Sequence, residues 1–186
     1  MDANEIAIGY GRAYIASFDA DSVEALPADT VARDGDWGGN WAGFGYTGGV
    51  QHSINNEHRH VEADQSTIEV RSQVTKQDVT VELTLKQVTL ENVKYALGFG
   101  TLSTSGSSGV LIVNDNPALS EYTIGIEGPS PSSDPTAAQR LLFPRMVPVS
   151  EPEQVLSREE ETVIVAQFKA LRGPGGKIME ARHYRP

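Results

Sequence analysis

The strongest pattern along the chain is an alternation of apolar and polar residues with a period of two. Ile68, Val70 and Val74 are apolar, while Thr67, Glu69, Arg71, Gln73 and Thr75 are polar. After Lys76-Gln77-Asp78 the alternation resumes, with Val79, Val81, Leu83 and Leu85 interleaved with Thr80, Glu82, Thr84 and Lys86. Successive side chains of a strand point to opposite faces, so each run specifies a strand with one buried and one wet face. Joined by a short polar segment, the two runs predict an antiparallel hairpin that turns at Lys76-Gln77-Asp78. Its valines, leucines and Ile68 face the core. Glu69, Arg71, Gln73, Thr80, Glu82, Thr84 and Lys86 face water.

The rest of the chain also reads mostly as strands. Ile6 to Phe18 is apolar and aromatic, and Gly9 and Gly11 within it suggest a bulge or bend. Periodicity vanishes from Asp19 to Asn40, a loop long enough to be functional or disordered. Trp37 and Trp41 argue against simple disorder. Gly49–Ile54 and Arg59–Ala63 read as short strands. A helix follows the hairpin: Thr89 can cap it, Leu90, Val93 and Leu97 share a face, and Gly98 suits the position past its end. Phe99–Ser108 is rich in Gly, Ser and Thr and reads as a loop, Val110–Val113 and Tyr122–Ile126 as strands, and Gly128–Pro135 as a turn-rich connection. A strand over Leu141–Val149 belongs at an edge, because Pro144 and Pro148 donate no ladder hydrogen bond. Thr162–Leu171 is apolar on both faces, as expected for a strand covered on both sides. The turn Gly173–Gly176 leads into a last strand, Lys177–Arg182. No internal repeat is visible. The expectation is one mainly β domain over residues 1–186.

Charge and composition narrow the function. The formal net charge is −10, so most of the surface should repel DNA, unlike that of a general nucleic-acid binder, but ordinary solubility accounts for it as well and the charge alone favours neither reading. There are no cysteines, which removes disulfide scaffolds, thiol nucleophiles and zinc-thiolate sites. No apolar run approaches a membrane span, and Met1–Glu5 does not open a leader pattern, so synthesis and folding in the cytoplasm are expected.

Candidate chemistry is thin. His52, His58 and His60 lie near Glu57 and Glu62, and alternation would place His58, His60 and Glu62 on one side of a strand. That spacing matches no standard metal motif, and a solvated histidine-bearing strand is the simpler reading. Asp64-Gln65-Ser66 lacks an activated base at a defined spacing. Gly9-x-Gly11 and Gly45–Gly49 do not open a helix in a βαβ unit, which a phosphate loop requires. Trp37 and Trp41 could stack on a sugar or a base. Anchoring their loop on a neighbouring surface fits equally well, since aromatics dominate interface energetics. No cofactor is implied.

Four stretches together resemble the major tail tube proteins of long-tailed phages, particularly those of actinobacterial phages. They are Gly11-Arg12-Ala13-Tyr14-Ile15-Ala16; Trp41-Ala42-Gly43-Phe44-Gly45-Tyr46-Thr47-Gly48-Gly49-Val50; Val61–Ser66 with the hairpin and the Leu90–Leu97 helix; and Glu160-Glu161 through Phe168-Lys169-Ala170-Leu171 to the glycine-rich turn. Arg172-Gly173 departs from the pattern, where relatives often carry Asp after the Leu. The resemblance implies a β-sandwich or barrel with one flanking α-helix, assembled as stacked hexameric rings. It implies a virion location in the tail, assembly in the host cytoplasm, and the chain itself as main partner. Tape measure, tail terminator and tail tip proteins are the further partners, and DNA passes through the lumen without specific binding. It implies no enzyme activity.

On that footing Asp36, Trp37 and Trp41 are expected at an inter-subunit contact made by the loop 19–40. The polar hairpin face is expected toward the lumen or solvent, and the lumen is expected to be neutral or negative. Met1–Glu5 or Ala181–Pro186 is expected to order only on assembly. The competing reading is a ligand- or carbohydrate-binding β-sandwich decorating a virion, and a weaker one is a metal enzyme on the histidines.

Overall fold

The computed structural model describes residues 11–28, 30–33, 35–45, 47–61, 71–105, 108–115, 117–130, 137–149 and 162–184. The order is β1 (Arg12–Ser17), β2 (Ala42–Gly43), β3 (Thr47–Val61), β4 (Arg71–Leu85), α1 (Leu90–Leu97), β5 (Thr101–Ser105), β6 (Ser108–Ile112), β7 (Tyr122–Pro129), β8 (Ala138–Pro148), β9 (Ile164–Ala170) and β10 (Glu180–Tyr184). One antiparallel sheet runs β2-β1-β7-β8-β9-β4-β3, with β10 added to β8, and β5–β6 form a separate hairpin. The large sheet curls toward closure: the Thr47 hydroxyl on β3 donates to the Gly11 carbonyl ahead of β1 at 2.8 Å. The His52 ring of β3 lies 6.2 Å from Phe143 of β8. The chain is therefore mainly β, with one flanking helix among the described residues. No helix among them is long and apolar enough to cross a membrane.

The alternating run Val79, Val81, Leu83 and Leu85 lies in the core, each at most 2% exposed, beside Ile15, Phe44, Phe143 and Phe168. Its neighbours Thr80, Glu82 and Thr84 point away. The expected turn at Lys76–Asp78 is not there. These residues lie inside a single 15-residue strand, opposite Glu57, Asn56 and Asn55 of an equally long β3. The break in alternation is a β-bulge: Val74 pairs with His58 and Lys76 with Glu57, leaving Thr75 as the extra residue. An extra residue shifts the phase by one, so Val74 and Val79 stay on the same face despite their odd spacing. Val74 is nevertheless 48% exposed, because the body of the protein ends before it. Gly48 is the counterpart extra residue on β3, where Thr47 pairs with Leu85 and Gly49 with Thr84. The two short strands expected between Gly49 and Ala63 are thus one strand. Ile68 and Val70 lie outside the described residues, as do Met1–Glu5, Gly9, Glu62 and Asp64–Ser66.

β8 is central, against the expectation from its prolines. It pairs with β7 on one side, and on the other with β10 over Ala138–Leu142 and β9 over Met146–Pro148. Pro144 falls in the gap between those two partners and at a bulge toward β7, where no ladder donor is required. Its carbonyl accepts from the Thr123 hydroxyl at 2.9 Å. β9, expected to be covered on both faces, buries Ile164, Ala166 and Phe168 but leaves Val165 40% exposed. Two-sided cover instead falls on β7, buried from Tyr122 to Glu127. Thr101–Ser105, expected as loop, is β5. Ala181–Tyr184 pairs with β8 within the single chain, so that end is a strand without assembly.

The helix has its expected caps. The Thr89 hydroxyl accepts from the Asn92 amide, and Gly98 takes a left-handed conformation (φ 78°). Its buried face differs from the expected one. Asn92 and Ala96 are buried, while Leu90 is 40% exposed. The Asn92 side-chain amide donates to the Phe44 and Gln87 carbonyls at 3.0 and 2.8 Å, so a polar residue holds the helix to the sheet's connections.

Candidate functional site

Two features lie outside the core: the loop 19–40 and the far half of the β3–β4 ribbon. The loop is packed onto its own sheet. Trp37 is 6% exposed, stacks on Tyr14 of β1 (centroids 4.1 Å apart, 16° between planes) and meets Trp41 edge-on at 5.1 Å. The Trp41 indole donates to the Ala25 carbonyl at 3.1 Å. Trp37 lies directly on Gly125 of β7, where an added Cβ would stand 2.2 Å from the ring. Beside it, Arg140 and Glu127 form an ion pair at 2.9 Å with both side chains 1% exposed. The same guanidinium donates to the loop carbonyls of Ala28 and Val31. One buried cation therefore ties the loop to two strands.

The two tryptophans and the arginine thus spend their contacts inside the chain. The loop's outward surface belongs to residues such as Asp36, which is exposed and accepts from the Gly38 amide at 2.9 Å. Replacing Gly125 with leucine should drive Trp37 off its seat at a cost of about 1–3 kcal/mol. Both tryptophans of the chain lie in this loop or directly after it, so fluorescence reads its attachment directly. A red-shifted emission with unchanged far-UV circular dichroism is expected. An unshifted emission would mean that the seat is not needed.

The ribbon is the second feature. β9 pairs with β4 only from Leu85 back to Thr80, opposite Lys169. Beyond that point, among the described residues, β3 and β4 pair only with each other. Every described side chain from Gln51 to Arg59 and from Gln73 to Gln77 is exposed, including Ile54 at 45%. The outward face carries an alternating ladder of charge. Lys76 Nζ lies 3.3 Å from Glu57 and 2.8 Å from Asp78, and Lys169 Nζ lies 2.7 Å from Asp78. Hydrogen bonds from Lys169 and Lys76 hold the Asp78 carboxyl below its ordinary range, and those to Asp78 and Glu57 raise the Lys76 ammonium. These pairs are solvated and contribute little stability, but they cancel charge locally.

The residues of the sequence-predicted polar face are placed as follows. Gln73 and Glu82 are exposed, Thr80 shares a 2.7 Å hydrogen bond with Ser53, Thr84 lies opposite Gly49, and Lys86 is exposed past the end of β4. Arg71 is placed by backbone register, opposite Val61. Glu69 lies outside the described residues. Lys76, Asp78 and Lys169 belong to the same face and were missed by the sequence reading, since a supposed turn hid the first two.

Among the described residues no three His, Asp or Glu side chains converge on a metal-sized point. His52 and His58 lie six residues apart on one strand, roughly 20 Å. A groove of about 510 Å³ at the sheet's seam is lined by Gly11, Arg12, Ala13, Tyr14, Gly43, Gly45 and Thr47, and the Thr47 hydroxyl is already spent on Gly11.

A family described as phage tail tube protein matches residues 1–177. The chain belongs to that family. It is a structural component of the phage tail. No curated protein matches the chain. Among solved structures, a cryo-EM structure of the anti-feeding prophage baseplate, sixfold symmetrised, is similar with 8% identity, 95% of each chain covered and a TM-score of 0.41.

Proposed function

We propose that this tail protein self-assembles into hexameric rings that stack head-to-tail into the tube of a long, non-contractile tail, the conduit for genome delivery. The observation that carries this is the ribbon. A two-stranded ribbon is marginal alone, and its edges, unpaired among the described residues, invite pairing. Copies related by rotation about a ring axis keep strand direction. The free edge of β3 in one copy therefore meets the free edge of β4 in the next in antiparallel sense, and closure of the ring removes both edges. The polar face of Gln73, Thr80, Glu82, Thr84 and Lys86 then lines the lumen. The ladder from Glu57 to Lys169 cancels its own charges, while Arg59, opposite Gln73, adds an exposed cation to the same face, so the counterion release that would make DNA adhere is limited rather than absent.

The exposed part of the loop, Asp36 included, is an inter-subunit contact in this arrangement, with Trp37 and Trp41 setting its shape from beneath. The role is architectural, without catalysis or cofactor, and tape measure, tail terminator and tail tip proteins are the further partners. Negative-stain electron microscopy of the concentrated protein tests the reading. Hollow filaments of uniform width are expected. A population that stays monomeric or stops at small closed oligomers, also with tape measure and tail tip proteins added, would favour a ligand-binding module instead.

A further inference from the structure

Six of the nine exposed large hydrophobic side chains among the described residues, Leu90, Val110, Ile112, Val113, Leu119 and Val149, surround α1 and the β5–β6 hairpin. β6 turns Leu111 inward, and Val110 and Ile112 outward at 55% and 50% exposure. Leu90 lies over Gly109 on the side of β6 that faces α1, and Leu119 and Pro148 close around Gly98, so exposed apolar side chains stand at both ends of α1 as well as on the outer face of the hairpin. From Phe99 to Ser120 the chain carries a single charged residue, Asp115. Scattered exposed hydrophobics are ordinary. A concentration of them on a surface nearly free of charge is the composition of an interface core.

The ribbon supplies the matching surface. Its outward face holds Glu57, Lys76 and Asp78, but its other face does not. Register places Ile54, Asn56 and His58 of β3 together with Val74 and Gln77 of β4 on that second face, with no Asp, Glu, Lys or Arg among them. Copies of a chain with net charge −10 repel wherever two acidic surfaces meet. The hairpin side of the first surface, a shelf, and the inner ribbon face are nearly free of charge, with Glu91 and Lys94 of α1 at the shelf's margin, and the two surfaces are apolar in part and located on different parts of the chain. We infer that the shelf formed by α1 and β5–β6 receives the inner face of the ribbon, around Ile54 and Val74, of a second copy. Because the two surfaces differ, the contact is heterologous and passes from copy to copy without closing on a pair. The inference rests on the tube reading and adds the surface through which copies hold each other.

The natural absence of cysteine makes cross-linking clean. Ile112→Cys and Val74→Cys are introduced together, the protein is concentrated under assembly conditions, and it is then oxidised. A ladder of disulfide-linked oligomers that collapses on reduction is expected, with no ladder from either single variant. Separately, Ile112→Asp should keep the wild-type melting temperature, since the side chain is already exposed, yet raise the concentration needed for filaments by about tenfold or more, the loss of one desolvated anchor. Ile54→Asp should do the same. Wild-type filament formation by both Asp variants, with no ladder from the double cysteine protein, would overturn the shelf while leaving the tube reading intact. A cross-linked dimer from Ile112→Cys alone would show the shelf meeting itself and would also overturn the inference. Failure of the wild-type chain to form filaments at all, with no ladder, would remove both.

Discussion

Replacing Arg140 with methionine is expected to cost the fold about 3–5 kcal/mol, the usual penalty for stranding one member of a buried ion pair. Arg140 and Glu127 are each 1% exposed, so no water can take over the lost partner. The loss is compounded because the same guanidinium satisfies the Ala28 and Val31 carbonyls of the loop. Urea denaturation should show the midpoint falling with little change in slope. Tryptophan emission should shift at lower urea than the far-UV signal, because Trp37 and Trp41 report the loop and the sheet persists beneath it. The double variant Arg140→Met with Glu127→Leu removes both charges and should recover most of the loss, leaving the two carbonyls uncompensated. A single variant within 1 kcal/mol of wild type, on the order of an ordinary surface change, would show that the pair does not hold the loop.

What could be read from the sequence follows the range of the forces involved. The faces of β4 from Val79 to Leu85 were legible because a two-residue period is local and a one-residue slip would exchange core and solvent. The caps of α1 were legible for the same reason, since Thr89 and Gly98 act on backbone within one turn. Lys76-Gln77-Asp78 was misread because a turn and a bulge both break the alternation. Only pairing with residues some twenty positions earlier tells them apart. Pro144 looked like an edge marker because nothing local reveals that β8 exchanges one partner for another at that residue. β5 escaped notice since Thr101–Ser105 has Leu102 as its one apolar residue and packs on a helix rather than on the main core. Trp37 was visible as an anchor, but whether its ring would cover its own sheet or a neighbour's depended on Gly125, far along the chain. The proposed six-copy arrangement has no local signal at all. It entered through the family likeness of four separated stretches, and the match over residues 1–177 bears out the family.

Val81→Asp and Leu83→Asp are expected to abolish folding, while Thr80→Asp and Thr84→Asp leave a folded chain. Val81 and Leu83 are fully buried and pack among Ile15, Phe44, Phe143 and Phe168. A carboxylate there has no cation within the cluster, and removing it from water costs several kcal/mol even after relaxation. That is comparable to the whole stability of an ordinary domain, about 5–15 kcal/mol. One residue away the balance reverses. Thr80 is half-exposed, shares its hydroxyl with Ser53 on the open face and lies opposite Lys169 in the register. Aspartate at that position remains solvated beside a cation, and its cost is limited to the poorer strand propensity, a few tenths of a kcal/mol to about 1. Soluble expression, circular dichroism and thermal melting of the four variants decide the matter. Folded protein from Val81→Asp together with collapse from Thr80→Asp would invert the assignment of faces. The inner surface of the ribbon, and with it the shelf's partner, would then have to be sought on the charged side.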